Sequence, residues 1–203
     1  MNYKWSVKSL FLFVIVALII MATLACWVIS EAEKSRYQIP VLGQLPEFKF
    51  TDQDGRPFGL SDIKGKITVM DFIFTRCQGP CPVMASHFSR LYQLYHGSDI
   101  VQLLSISVDP DYDTDSVLKA YADRQGVTDN RWIFLRAPLD SVVAFSEQGL
   151  MIAAEKEILP GGHSTRFVLI DNEGRIRGYY DGLDDNSITR LKNNINRLVG
   201  ELK

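Results

Sequence analysis

The chain has 203 residues, with 22 Lys/Arg against 24 Asp/Glu and a net charge of −2. The charges are mixed and form no basic block, which excludes an electrostatically driven nucleic-acid binder. At 46% hydrophobic residues the chain has the material for a sizeable core and is not a disordered sequence.

The N-terminus comes first. Between Lys8 and Glu31 no residue is charged, and residues 10–29 are nearly all apolar. At about 1.5 Å per residue this stretch is about 30 Å long, enough to cross a bilayer core. Trp5 and Trp27 stand near its ends, where interfacial aromatic residues belong. The apolar run is longer than the core of a cleaved signal peptide, and no clear cleavage site follows it. An uncleaved anchor is therefore expected. Leu24-Ala25-Cys26 is lipobox-like with Thr23 in place of the usual Leu, so lipid attachment at Cys26 stays open. Lys4 and Lys8 precede the span, and no acidic residue lies before Glu31. The positive-inside rule puts residues 1–9 in the cytoplasm and the bulk of the chain on the outer, periplasmic face of the inner membrane. Residues 30–44 read as a linker with Pro40 and Gly43 as punctuation, and residues 45–203 as one domain.

Within that domain, residues 47–51 alternate and run into Asp52-Gln53-Asp54-Gly55, a turn signal, with 57–60 as the returning strand. Residues 67–74 suit a central strand buried on both faces. A helix follows from Cys81 to about Tyr95, with Val83, Phe88, Leu91, Leu94 and Tyr95 at near-helical spacing. Residues 100–108 form the next strand and stop at Asp109-Pro110. Thr114 or Asp115 caps a helix that ends at Gly126. A short strand over 131–135 and a helix over 141–150 come next. Residues 152–159 read as a strand or an extended loop, and Pro160-Gly161-Gly162-His163 as a loop. A strand pair over 166–170 and 175–180 and an amphipathic helix over 186–202 close the chain. Strands alternating with helices, then a hairpin and a helix, predict an α/β sandwich: a mixed sheet flanked by helices.

The chemistry concentrates at Cys77-Gln78-Gly79-Pro80-Cys81-Pro82, where a buried strand ends and a helix begins. Backbone N–H groups and the helix dipole favour thiolate at such a junction. A bridge between cysteines four apart restrains little of the unfolded chain, so a structural staple explains the pair poorly. Two converging thiols either cycle through a disulfide or grip a soft metal ion. A structural zinc site wants four ligands, and the three His fit no zinc-finger spacing. Two thiolates with one imidazole suit copper, Cu(I) through the thiolates and Cu(II) through the imidazole. His163 is the candidate third ligand, on a loop that leads into a strand. His87 is expected to pack against the domain and His96 to answer the end of its helix. Asp109 reads as a turn residue, with a role beside the site as the alternative. Asp111, Asp113 and Asp115 lack the Gly and Glu of a calcium loop and read as a solvated helix start.

Three segments together resemble the Sco/SenC family. They are Phe72-Ile73-Phe74-Thr75-Arg76-Cys77-Gln78-Gly79-Pro80-Cys81-Pro82, Ser105-Ile106-Ser107-Val108-Asp109-Pro110, and His163-Ser164 before Phe167-Val168-Leu169-Ile170-Asp171. They keep the family's order and spacing, and the resemblance runs over about residues 47–198. It implies a membrane-anchored, thioredoxin-like domain that binds copper through Cys77, Cys81 and His163. It further implies service to the binuclear copper site of cytochrome c oxidase, with the copper-bearing subunit as partner and other copper chaperones or thioredoxin-like reductants as further contacts. Family members often carry an acidic residue where Gly162 stands. Two other functions stay open: a thiol–disulfide oxidoreductase using Cys77 and Cys81, and a peroxiredoxin-like peroxidase suggested by Thr75 and Arg76 beside Cys77.

Overall fold

The computed structural model describes residues 7–36, 38–153 and 164–202. The chain divides into two compact units, Met1–Ile39 and Pro40–Lys203. The first is built on one helix, α1 (Val7–Arg36). Its segment Leu10–Ser30 is long and apolar enough to cross a membrane, and its side chains are exposed throughout.

The second unit is one eight-stranded mixed sheet with helices. The strands are β1 (Gly43–Gln44), β2 (Lys49–Asp52), β3 (Pro57–Gly59), β4 (Ile67–Ile73), β5 (Val101–Ser107), β6 (Trp132–Arg136), β7 (Arg166–Ile170) and β8 (Arg175–Asp181). They lie in the order β1-β8-β7-β4-β5-β6-β2-β3. The helices are α2 (Leu60–Ile63), α3 (Cys81–Leu94), α4 (Asp115–Arg124), α5 (Leu139–Ala144) and α6 (Asp185–Glu201), with a π-helix over Phe145–Gly149. β4, β5 and β6 run parallel, and α3 and α4 make the two crossovers that parallel pairing requires. β7 pairs with β4 antiparallel, with Val168 opposite Met70. The carboxyl ends of β4 and β5 and the beginning of β7 therefore share one end of the sheet.

Every residue of β4 and β5 is buried, the run expected of strands covered on both faces. Successive side chains alternate between the faces. Met70, Phe72, Leu104, Ile106, Ile133 and Leu135 point to a core shared with Phe50, Phe58, Val142 and Phe145. The opposite face is aromatic. Trp132 lies 5.6 Å from Phe88 of α3 and 5.1 Å from Phe134, and Phe88 lies 4.6 Å from Phe167 between ring centroids. Burying a side chain the size of Phe88 contributes about 1.5–3 kcal/mol, which docks α3 and so sets where its first residue, Cys81, stands.

Two hairpins are built alike. Asp52 accepts the N–H groups of Asp54 and Arg56 and the Arg56 Nε–H, each at 2.8–2.9 Å. Asp171 accepts the same set from Glu173 and Arg175 at 2.8–3.0 Å. Each turn needs a left-handed residue, and Gly55 (φ +78°) and Gly174 (φ +79°) provide it without a Cβ clash.

Three expectations need correction. Val83 and Leu94 are exposed, and Met84, Ala85, Phe88, Leu91 and Tyr92 fill the inner face of α3. Phe88 and Leu91 point inward as expected; Met84, four residues before Phe88 and so on its face of the helix, takes the inward place given to Val83. The helix expected over 141–150 is an α-helix only to Ala144 and then widens to the π-helix. Gly43–Gln44, expected in a linker, pairs with Arg175 and Ile176 as an edge strand. Most of the strand or loop expected over 152–159 lies outside the described residues.

Candidate metal centre

β4 hands the chain to the Cys turn through a tight bend. The Cys77 N–H donates to the Phe74 carbonyl at 3.2 Å. Thr75, inside that bend, donates its hydroxyl to Asp113 Oδ1 at 2.5 Å and its N–H to the same carboxylate at 3.2 and 3.3 Å. Arg76 donates Nε–H to Asp109 at 2.8 Å, with its guanidinium 4.5 Å from the Tyr112 ring centre. Cys77 is half-buried, and Sγ accepts the Gly79 N–H at 3.4 Å. Pro80 precedes α3, whose first residue is Cys81.

The two cysteines are not joined in a disulfide, and they differ in access. Cys81 is only 2% exposed. Burial pushes its thiol up to about 12, and its hydrogen bond to the Cys77 side chain pushes the same way. The junction was expected to favour thiolate through the helix dipole. At Cys81 desolvation outweighs the dipole, because the side chain points under the turn rather than at solvent. Cys77 itself stands in the bend before α3, outside the helix that carries Cys81. A metal ion held by the pair would take the place of the Cys81 proton, because a cysteine ligates as thiolate.

Beneath the turn lies Asp71, in the middle of β4 and 2% exposed. Neither carboxylate oxygen has a hydrogen-bond partner. Burial raises its pKa to about 7; the hydroxyl of Ser105, its neighbour across the β4–β5 ladder, is not in hydrogen-bonding geometry but still draws it part of the way back. Its charge is felt at Cys81 of α3 and at Tyr121 of α4. Nothing in its residue pattern flagged it except an acid inside an apolar strand. Asp113, expected in a solvated helix start, is instead fully buried. Three donors from Thr75 and Ser107 draw it inward.

His163 falls in residues 154–163, outside the described residues. Ser164 and Thr165, which follow it, are described. The Thr165 carbonyl accepts the Gly182 N–H at 2.9 Å, and β7 begins one residue later at the end of the sheet where β4 leaves. His87 is buried on α3, with Nε2 3.9 Å from Asp185 of α6. His96 is exposed beyond the end of α3. Asp109 spends its carboxylate on Arg76. Among the described residues no three His, Cys, Asp or Glu side chains cluster as a metal site. Two thiols of soft character are what the described part brings together, and soft ligands suit copper better than a hard cation.

A dithiol at the carboxyl end of a central strand, on a mixed sheet wrapped by helices, defines a thioredoxin-like protein. The family model SCO1/SenC matches residues 42–200, and the chain belongs to this family. Three solved structures are similar. A SCO1/SenC family lipoprotein from Bacillus anthracis is 34% identical, with a TM-score of 0.71, over 79% of this chain and 97% of that one. BsSco, described as a member of the Sco family of cytochrome c oxidase assembly proteins with a disulfide switch, is 26% identical. Its TM-score is 0.70, over 80% of this chain and 97% of that one. ScoI of Bradyrhizobium japonicum, with copper bound, is 25% identical, with a TM-score of 0.60, over 74% of this chain and 98% of that one. The thioredoxin-like architecture expected from the sequence is thus the fold of this chain.

Proposed function

We propose that the chain is a copper-binding metallochaperone that delivers copper to the binuclear copper site of cytochrome c oxidase during its assembly. The observation that carries this is the pair of thiols at one turn, not joined in a disulfide, with Cys81 buried and Cys77 half-exposed. Cys77, Cys81 and His163 hold the ion. Thiolates favour Cu(I), and the imidazole extends the site to Cu(II). Membership of the SCO1/SenC family and the copper bound by the Bradyrhizobium relative support the reading. Transfer proceeds by ligand exchange with the copper-bearing subunit. Cys77 is the ligand the acceptor reaches first, and His163, following Pro160-Gly161-Gly162, is the ligand that lets go. Residues 10–29 anchor the protein as a single pass in the inner membrane. Residues 1–9 are cytoplasmic, the linker ends before the edge strand Gly43–Gln44, and the copper-binding domain that this strand opens lies on the periplasmic face.

The test is copper stoichiometry of the reduced protein. One ion binds per chain, and Cys77→Ser or Cys81→Ser abolishes tight binding. Wild-type affinity in either variant refutes the site. His163→Ala weakens Cu(II) strongly and Cu(I) less, since two thiolates alone hold Cu(I). A reporter active only outside the cytoplasm, fused after Lys203, is active; the opposite result refutes the topology.

A second reading is favoured by the unequal access of the thiols. An accessible Cys77 that attacks and a buried Cys81 that resolves is the division of labour in a thiol–disulfide oxidoreductase. Such an enzyme reduces the acceptor's cysteines before the metal arrives and does not need His163. Oxidase assembly in cells decides. If His163→Ala fails as badly as Cys77→Ser, metal handling is essential. If it assembles oxidase normally while the Cys variants fail, dithiol chemistry is the function.

A further inference from the structure

Asp113 is a fully buried carboxylate on the loop over residues 108–114 between β5 and α4. Its bonds have a direction. Oδ1 takes the Thr75 hydroxyl at 2.5 Å, Oδ2 takes the Ser107 hydroxyl at 2.6 Å, and both take the Thr75 N–H at 3.2–3.3 Å. Every donor lies at the end of β4 or β5. The loop itself is stitched to the same place. The Asp113 N–H donates to the Asp109 carbonyl at 2.8 Å, and the Asp109 N–H donates to Ser107 Oγ at 3.1 Å. Asp109 then holds Arg76. The two residues that lead into Cys77 are thus each tied to this loop, Thr75 by Asp113 and Arg76 by Asp109.

Cys77 needs such ties. It is outside α3, and only Gln78, Gly79 and Pro80 separate it from Cys81, with Gly79 a soft point in between. The helix fixes Cys81 but not Cys77. A neutral side chain could close the loop. A buried anion makes stronger, charge-assisted bonds, roughly twice those of neutral pairs.

We propose that Asp113, acting through Thr75, is the positioning residue of the dithiol: it holds Cys77 at the separation from Cys81 at which the two sulfurs act as one unit. The brace serves a metal and a disulfide alike, because both require the second sulfur at high effective concentration. The inference therefore rests on the cysteines working as a pair and not on copper.

The experiment is equilibration of the full-length protein in detergent with glutathione, without metal. Opening the Cys77–Cys81 bond reduces both sulfurs to thiols; two glutathione thiols supply the protons and electrons and leave as one glutathione disulfide. Thr75→Val removes the hydroxyl at nearly constant shape. It is expected to lower the effective concentration about tenfold, which raises the reduction potential by about 30 mV. Asp113→Asn is expected to do the same, and Thr75→Ser to restore the wild-type equilibrium. Cu(I) affinity, measured separately by competition, is expected to fall in the same two variants. Should Asp113→Asn fail to fold, the Thr75→Val and Thr75→Ser pair carries the test alone. A lower melting temperature with an unchanged glutathione equilibrium makes the brace merely structural and overturns the proposal. So does a Thr75→Ser variant as impaired as Thr75→Val. A failure of copper binding with the glutathione shift intact refutes the metallochaperone and leaves the brace standing.

Discussion

Asp71 and Asp171 are buried alike, at 2% and 1% exposure, yet their surroundings push them in opposite directions. Asp71 sits in mid-strand under the Cys turn with no hydrogen-bond donor on either oxygen, and burial raises its pKa to about 7. Asp171 sits at the β7–β8 turn. Burial raises it too, but Arg177 and Arg175, with the N–H groups of Glu173 and Arg175, overturn that and hold it below the ordinary range. Burial by itself does not decide whether an interior acid is charged; the donors around it do. The hairpin acid holds structure together. The strand acid is a stored cost near the dithiol, of the kind that gathers at working sites.

The sharpest way to break this contrast is Asp171→Asn. It removes the charge partner of Arg177, itself 8% exposed. Breaking a buried pair from one side costs about 3–5 kcal/mol. For a chain of this size the thermal midpoint should fall on the order of 10 °C. The contribution of Asp171 is present above the unfolded-state pKa of 3.8 and is lost as pH falls through the lower folded value. An unchanged midpoint at pH 7 would mean the turn holds without its anion.

Asp71 has the reverse sign. Its folded pKa lies above the unfolded one, so between about 4 and 7 the folded state keeps a proton the unfolded state has lost. Stability from this group is present below 3.8 and disappears as pH rises to about 7, for a total of about 4 kcal/mol. Urea midpoints at pH 5 and pH 8 measure it. Asp71→Asn is expected to flatten that difference, and a slope identical to wild type would assign the pH dependence to other groups.

A surface acid extends the comparison at its small end. Asp184 caps α6, accepting the N–H groups of Asn186 and Ser187 at 3.1 and 3.0 Å. Asp184→Ala is expected to cost about 1 kcal/mol. Hydrogen exchange should quicken in the first turn of α6 and leave β4 unaffected. Protection lost across the sheet instead would show α6 to be coupled to the core far beyond its cap.

Much of the fold was legible from local pattern. Residues 67–74 are an apolar run of strand length, and Ile188, Leu191, Ile195 and Leu198 recur on one face of α6 because 3.6 residues make a turn. The Cys turn was legible for the same reason: strand end, two thiols and helix start lie within a dozen residues. What the sequence by itself determined is the set of elements, the anchor-like segment and the thiol pair, since each depends on neighbours a few positions away. Only the tertiary structure decided the rest. Asp113 looked like one of three solvated acids until the fold set it against Thr75, 38 residues distant. Asp71 became a raised acid because α3 and α4 close over it and bring no donor. Cys81 lost the thiolate its helix position favours because the same closure removes water from its sulfur. A charge responds to everything within several ångströms, whatever the chain separation, so the state of these groups is settled by packing and cannot be read from spacing.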